Sequence, residues 1–272
     1  MKNRNSTLLL FVIFLTGLSL LLYPTASDWW NSFHQSRAIA SYAQQVAELD
    51  NTAYRQAWAD AQSYNAQLPQ DSTRFQPTEE DTADYQNLLN ITGSGIMGYI
   101  EIPSIRVSLP IYHGVEDTVL QIAVGHIEGS SLPVGGADSH CVVSGHRGLP
   151  SAKLFTNLDQ LAEGDVFLLR VLDEVLTYQV DQIHIVEPDD ISLLQIEQGK
   201  DLCTLVTCTP YGVNSHRLLV RGHRIENRAD ASSVRVTADA MQIEPVLVAP
   251  AVAAPMLLLL FIWLLISTRK PK

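Results

Sequence analysis

The sequence predicts a mainly β fold, a compact antiparallel barrel or sandwich with a helical arm in front of it and an apolar segment at each end. Three observations support this prediction. Residues 96–225 alternate short β-rich runs with turn residues. Residues 28–68 contain neither glycine nor proline, and each end of the chain carries an uncharged apolar run beside basic residues. About 130 residues are ample for one hydrophobic core.

The N-terminus has the layout of a signal peptide or a membrane anchor. Lys2 and Arg4 precede an uncharged run at 8–23, LLLFVIFLTGLSLLLY, which is the order of charge and hydropathy found in both. The run is slightly shorter than the roughly 20 residues of a spanning helix, and residues 25–27 match a cleavage site poorly. We interpret residues 1–27 as one or the other, with a retained anchor favoured.

Residues 28–95 are predicted to form a helical arm and a loop. Apolar residues recur at helical spacing through 28–68, as one long helix or as two that are separated near Asp50 and Asn51. Residues 69–80 are polar and bounded by prolines, which indicates an exposed loop. Thr78 is the predicted N-cap of a short helix that ends at Leu89, with acidic residues in its favourable first turn.

Seven β-rich runs mark the domain at 96–225: MGYIEIP, IRVSLPIYHG, HCVVSGHRG, DVFLLRVLD, VLTYQVDQIHIVEP, DLCTLVTCTP and HRLLVRGHRI. Short strands at this spacing, separated by turn residues, are typical of a barrel or a sandwich. One helical insert is predicted near residues 118–124. A polar linker at 226–244 follows.

The C-terminal segment, 245–272, is predicted to be a transmembrane helix with a basic tail. Residues 246–266 carry no charge and are followed by three basic residues, a pattern that favours a membrane span over a buried core helix. The two prolines in this run are tolerated in membrane helices. Basic flanks at both ends place both termini in the cytoplasm and the rest of the chain outside.

The exported part is strongly acidic. The two tails hold five of the 18 basic residues and none of the 29 acidic ones, which leaves 13 basic against 29 acidic groups and a net charge of −16. Such a surface repels phosphates instead of releasing their counterions, so we expect no nucleic-acid partner.

Cys208 is the candidate nucleophile. It ends the apolar run TLVTC and precedes a Pro-Tyr-Gly turn, where a side chain can reach a cleft. Side chains alternate along a strand, so Cys203 points to the opposite face. Cys141 and Cys203 are either a disulfide pair or small buried hydrophobic side chains, the commoner role of free cysteines.

A cysteine nucleophile needs a histidine to share its proton and a donor for the oxyanion. His146 in VVSGHRG and His126 in AVGHIEG both sit beside a glycine near a strand end, and the residues alone do not choose between them. Histidines in or beside apolar strands, which are more often structural or at the surface, are His113, His184, His216 and His223.

Arg217 is the candidate cation. It starts the strand after the Cys208 turn, and the short interval at 209–216 would make the two strands neighbours and bring Arg217 across from Cys208. A guanidinium stays charged and can donate to an oxyanion. Arg221 is expected to be a surface charge, and Arg147 is expected to point away from its neighbour His146.

A metal site is the other interpretation of these residue types. His140, Cys141 and His146 offer imidazole and thiolate ligands, but no pair has a recognised zinc spacing. The sequence also lacks a glycine-rich phosphate loop and a GxSxG elbow. We therefore expect neither a metal nor a cofactor.

TLVTC with the following TPYGVNSHRLLVRG, and SGHRG upstream, resembles the sortases, and within them class C, the pilus-assembling transpeptidases. The resemblance extends from Ser32 to Ile225. It implies the sortase eight-stranded β-barrel with an N-terminal helical arm. It also implies Cys208 as nucleophile, His146 and not His126 as general acid/base, and Arg217 as the residue that positions substrate and stabilises the oxyanion.

The implied substrates are pilins or surface proteins with LPxTG-like sorting signals. The resemblance implies cleavage through a thioacyl enzyme and transfer to a pilin lysine, outside the membrane of a Gram-positive bacterium. Class C members usually close the cleft with a lid that carries an Asp-Pro-aromatic motif. Here the stretch DSTRFQPTEED has Asp71, Phe75 and Pro77 but no such tripeptide, so a loose lid is expected at about 69–77, with Phe75 as its plug.

Two further functions fit the same residues. One is a housekeeping-type sortase that joins surface proteins to a cell-wall precursor, which the C-terminal span disfavours. The other is a non-catalytic membrane scaffold on a sortase-like barrel, which has no need of an intact Cys, His and Arg. A papain-like peptidase is disfavoured because its cysteine opens a helix near the mature N-terminus.

Overall fold

The computed structural model describes residues 2–227. The predicted C-terminal membrane span, its basic tail and most of the linker lie outside the described residues. The first element, α1 (Lys2–Ala47), is a single helix that includes Pro24. Within residues 2–227, α1 is the one helix long and apolar enough to cross a membrane, by length and composition.

The arm continues with two more helices. α2 (Asn51–Gln67) starts after Asp50, whose carboxylate caps it by accepting from Thr52 N and Ala53 N, so the break in the arm lies where the sequence predicts one. A short 3₁₀ turn (Leu68–Gln70) leads into a loop. α3 (Glu79–Asn87) has Thr78 as N-cap, in a capping box with Asp81.

Eight strands form a closed barrel in the order β1-β2-β3-β4-β7-β8-β6-β5. The strands and one short helix are β1 (Ile96–Ile102), β2 (Val107–His113), α4 (Asp117–Leu120), β3 (Val124–His126), β4 (Ser139–Ser144), β5 (Val166–Val171), β6 (Glu174–Val186), β7 (Asp201–Thr209) and β8 (His216–Ile225). The strand pattern predicts an antiparallel barrel, but two pairs of strands are parallel: β2 with β3, and β4 with β7.

Alternation along the strands separates an interior core from the outer wall. Ile100, Phe167 and Val220 point inward and are completely buried, and each such side chain stabilises the fold by roughly 1.5–3 kcal/mol. Tyr42 joins α1 to this core: its hydroxyl donates to Met97 O (2.9 Å) and accepts from Leu172 N (2.7 Å). The arm is therefore bonded to the barrel.

Candidate active site

The predicted catalytic residues lie on or just beyond three neighbouring strands, at one end of the barrel. β4 and β7 run parallel with Ser144 beside Val206, so two further residues along the same register bring His146 level with Cys208. β7 and β8 run antiparallel, and Cys208 is the direct partner of Arg217. The strand of the cysteine therefore lies between the histidine and the arginine.

Hydrogen bonds fix the main chain around His146, which lies two residues beyond β4. Gly145 N donates to Val206 O (3.0 Å), the Thr207 hydroxyl donates to Gly145 O (2.7 Å), and Phe155 N donates to His146 O (3.1 Å). A Cβ at position 145 would lie 2.8 Å from the Phe155 ring, so glycine permits this close packing. The His146 side chain remains half-buried and open to a substrate.

Cys208 and Arg217 both lie partly exposed at the mouth of the barrel. Cys203, five residues before Cys208, is completely buried, as alternation predicts. The Arg217 guanidinium donates to the carbonyls of Asn214 (3.3 Å) and His216 (3.2 Å). Neither acceptor is a carboxylate, so neither offsets the positive charge, which can stabilise an oxyanion beside the cysteine strand.

An apolar patch on the outer wall leads to Cys208. Val206 shares the outer face of β7 with Cys208. It packs with Val142 of β4 and Leu219 of β8, one on each neighbouring strand, and with Leu194 from the β6–β7 connection. We call these four residues the apolar floor; it suits the apolar side chains of an extended peptide.

The loop before α3 covers the apolar floor. Phe75 packs against it, while the adjacent Arg74 is only 7% exposed. The Arg74 guanidinium donates to Gly129 O (2.7 Å) and Leu194 O (3.0 Å) and lies 4.1 Å from the centroid of the Phe75 ring. Arg74 thus fastens Phe75 over the floor, and a substrate that binds there must displace this loop.

These contacts lie within the predicted lid at 69–77; that the lid is loose stays a prediction. Asp71 is exposed and accepts hydrogen bonds from Thr73 within the loop, and Pro77 is exposed as well. The anchor is instead Arg74, which the sequence analysis did not select. One signal could have found it: Arg74 is the only basic residue between positions 55 and 106.

His126 lies in the core, away from solvent. Its side chain is fully buried, with Nδ1 2.9 Å from the Tyr85 hydroxyl and Nε2 2.9 Å from Ser131 O. The Tyr85 hydroxyl also accepts from Gly114 N (3.1 Å). His126 therefore helps to join α3 to the barrel and cannot reach a substrate.

Cys141 and Cys203 are register partners on β4 and β7, and both are buried free thiols. Burial, together with the hydrogen bond to Cys141, raises the pKa of Cys203 well above its usual value, so this thiol stays protonated. No group of three His, Cys, Asp or Glu residues within 2–227 could hold a metal ion.

Arg147 is a second residue whose role the sequence did not indicate. Its guanidinium donates to Thr209 Oγ1 (3.3 Å), pairs with Asp159 and lies 5.9 Å from the centroid of the Tyr211 ring. Thr209 and Tyr211 lie one and three residues after Cys208. Arg147 therefore ties the segment of His146 to the segment of Cys208.

The partly exposed cysteine has a histidine on one side and an arginine on the other, at the same level of the barrel. This arrangement is typical of an enzyme that transfers acyl groups through a thiol. The family model of the sortase domain matches residues 100–225. Sortase C1 from Streptococcus agalactiae is 50% identical, with a TM-score of 0.68 over 71% of this chain and 100% of that one.

Two further relatives agree. Sortase C from Streptococcus pneumoniae is 45% identical, with a TM-score of 0.63 over 70% of this chain and 97% of that one. Sortase D from Bacillus subtilis (strain 168) is 28% identical over 163 residues, which are 59% of this chain and 79% of the relative. The chain belongs to the sortase family, the cysteine transpeptidases, and resembles its class C members.

Proposed function

We propose that the chain cleaves an LPxTG-like sorting signal and transfers the acyl fragment to a lysine amine of a pilin, thereby polymerising pili. The observation that carries this proposal is the shared level of Cys208 on β7, Arg217 on β8 and His146, two residues beyond β4. The likeness to sortase C structures supports the pilin substrate, because the Streptococcus pneumoniae structure is described in terms of pilin substrate specificity.

In the first half-reaction the Cys208 thiolate attacks the carbonyl carbon of the signal's threonine. The Arg217 guanidinium stabilises the oxyanion of the tetrahedral intermediate. His146, as imidazolium, gives its proton to the departing glycine nitrogen, and the C–N bond breaks. A thioester at Cys208 and a free Gly-side peptide result.

In the second half-reaction an amine attacks the thioester. His146, now neutral, accepts the proton of the attacking lysine amine, and Cys208 leaves as thiolate. The new amide joins two pilins, and the enzyme returns to its starting state. A thioester reacts with amines more readily than a peptide bond does, so the covalent intermediate lowers the barrier of the transfer.

The loop at 69–77 is the lid of this site in our proposal. Phe75 covers the apolar floor, and Arg74 holds it there. The peptide and Phe75 compete for the same surface, so the lid must open before acylation. Two membrane segments, the apolar part of α1 within residues 1–27 and residues 245–272, would hold the barrel at the outer face of the membrane with both termini in the cytoplasm.

Intact-mass spectrometry of the full chain in detergent tests the reaction. The protein is mixed with an LPxTG-type peptide, with and without an oligopeptide that carries a lysine from a pilin, next to Cys208→Ala. We expect an acyl adduct on wild type alone, which disappears as a lysine-linked product forms.

Each alternative gives a different result. Transfer to a cell-wall precursor amine but not to the pilin lysine would favour a housekeeping-type sortase. A folded wild type that forms no adduct, and whose Cys208 is inert to iodoacetamide, would be a scaffold and would refute the proposal. His146→Ala, which keeps the thiol, should label with iodoacetamide yet form no adduct.

A further inference from the structure

The first turns of α1 beyond its apolar segment contact the loop that follows His146. Asp28 accepts a hydrogen bond from Lys153 N (2.8 Å), and its other oxygen lies 3.3 Å from Lys153 Nζ. One turn further along, Asn31 Nδ2 donates to Ser151 O (2.8 Å). These hydrogen bonds attach residues 151–153 to α1.

The same loop holds the main chain of His146 from its other side. Phe155 N donates to His146 O (3.1 Å), and Phe155 is completely buried in the core beside Gly145. The connection from α1 to His146 therefore runs through only three residues, from Lys153 to Phe155.

Leu154, the residue between these two, has an unusual backbone. Its φ is +39°, which lies in the left-handed region that side chains with a Cβ rarely adopt. Such a conformation persists when its surroundings impose it. Three main-chain donors around Leu154 are bonded: Lys153 N to Asp28, Phe155 N to His146 O, and Thr156 N to Lys153 O (2.7 Å). The bond from α1 is therefore one of three that hold the strained residue.

We propose that Asp28 and Asn31 are positioning residues for His146, so that the helix at the membrane surface sets the alignment of the imidazole with Cys208. The inference rests on the proposed role of His146 and extends it to α1. Releasing Lys153 N lets Leu154 relax, and the relaxation moves His146 O and the ring attached to the same residue. Small misplacements of a reacting group cost up to about a hundredfold in rate.

The ion pair between Lys153 Nζ and Asp28 is not the contact that positions His146 in this proposal. The Lys153 ammonium is 76% exposed, and exposed ion pairs contribute little. The hydrogen bond from Lys153 N to Asp28 is the contact that holds the backbone next to Leu154. Two matched variants of the full chain separate these contributions: Asp28→Asn keeps an acceptor oxygen for Lys153 N without the charge, whereas Lys153→Met removes only the ammonium.

The test measures transfer of an LPxTG-type peptide to a lysine acceptor, and the pH dependence of Cys208 alkylation by iodoacetamide. For Asp28→Ala we expect kcat to fall roughly tenfold with KM nearly unchanged, and the pH dependence of Cys208 alkylation to differ from that of wild type. Asp28→Asn and Lys153→Met should stay within about twofold of wild type.

A lower melting temperature of Asp28→Ala with wild-type kcat and alkylation profile would overturn the inference, since α1 would then only stabilise the fold. If Asp28→Ala does not fold, Asn31→Ala decides by the same two readouts. The proposed function fails separately, when wild type gives no Cys208-dependent product. The alkylation profiles still show in that case whether Asp28 controls the surroundings of the thiol.

Discussion

At the level of single residues, the wall beneath the lid contains a histidine that is held neutral. His140 Nδ1 donates to Gln195 O (2.8 Å), which leaves Nε2 to accept from the Thr204 hydroxyl (2.7 Å). The pKa of His140 is lowered to about 4, mainly by burial; the nearby Arg221 and Arg74 also lower it, while the Gln195 bond and Glu197 oppose the shift. The neutral ring therefore links β4, β7 and the β6–β7 connection.

This histidine should make stability depend on pH. In the unfolded chain the imidazole titrates near 6.5, whereas in the folded protein it titrates near 4. Between these values the unfolded state binds a proton that the folded state does not. The free energy of unfolding should therefore fall as pH drops from about 6.5 to 4, by up to about 1.4 kcal/mol per pH unit. Above pH 6.5 the ring is neutral in both states, so His140 does not make the free energy of unfolding depend on pH.

Urea denaturation of wild type and His140→Gln at several pH values measures this contribution. The variant lacks the titrating ring, so the difference between the two proteins should shrink as the pH falls below about 6.5. Equal pH slopes for both proteins would show that His140 takes up its proton equally in the folded and unfolded states.

The residues show which contacts could be foreseen. Arg217 opposite Cys208 follows from local sequence, because a short connection between strands makes them neighbours in register. His146 could not be separated from His126 by local sequence, since the difference is burial, which depends on the whole barrel. Arg74 escaped for the same reason: a charged loop residue looks exposed until the carbonyls that it binds, 55 and 120 residues away, are known.

At the level of elements, the proposed lid is a loop whose Arg74 side chain binds the barrel domain. Arg74 supplies hydrogen bonds to two buried carbonyls and a cation–π contact to Phe75. Arg74→Ala should release Phe75 from the apolar floor. It should also lower stability by about 1–3 kcal/mol, because Gly129 O and Leu194 O lose their partner.

Two rates report the release of the lid. Chymotrypsin should cut after Phe75 several-fold faster in Arg74→Ala than in wild type, and Cys208 should react faster with a bulky maleimide. Arg55→Ala, which removes an exposed arginine of α2, is the matched control and should leave both rates unchanged. Equal cleavage and labelling in wild type and Arg74→Ala would show that Arg74 does not hold the lid.

The elements also show the limit of pattern reading. Seven strands were predicted from β-rich runs, and the one that was missed, β3, has only three residues. β3 pairs in parallel with β2 across α4, and β4 pairs in parallel with β7. A short strand gives no alternation to detect, and parallel pairing between distant strands leaves no turn in the sequence. The resemblance to the sortases supplied the eighth strand.

At the level of the whole molecule, α1 leads from its apolar segment to the catalytic barrel without a break. The helix runs unbroken from Lys2 to Ala47 and is bonded to the barrel through Asp28, Asn31, Gln35 and Tyr42. If its apolar part spans the bilayer, the orientation of the active site relative to the membrane is fixed by this helix. That orientation would favour substrates that are themselves held in the membrane.

The proposed topology has a direct test. Cys141 and Cys203 are buried, so a Cys208→Ala background leaves no accessible thiol among the native cysteines. Single cysteines are then introduced as Ser6→Cys, Ser232→Cys and Ser267→Cys and exposed to a membrane-impermeant maleimide on protoplasts. We expect only Ser232→Cys, in the linker, to react before the membrane is opened and all three afterwards, because basic flanks keep both ends inside.

Reaction of Ser267→Cys on intact protoplasts would rule out a C-terminal span with a cytoplasmic tail. Loss of the Ser6→Cys peptide from the mature protein would identify the N-terminal segment as a cleaved signal peptide, and the bonds of Asp28 and Asn31 would then start at the first residues of the mature chain.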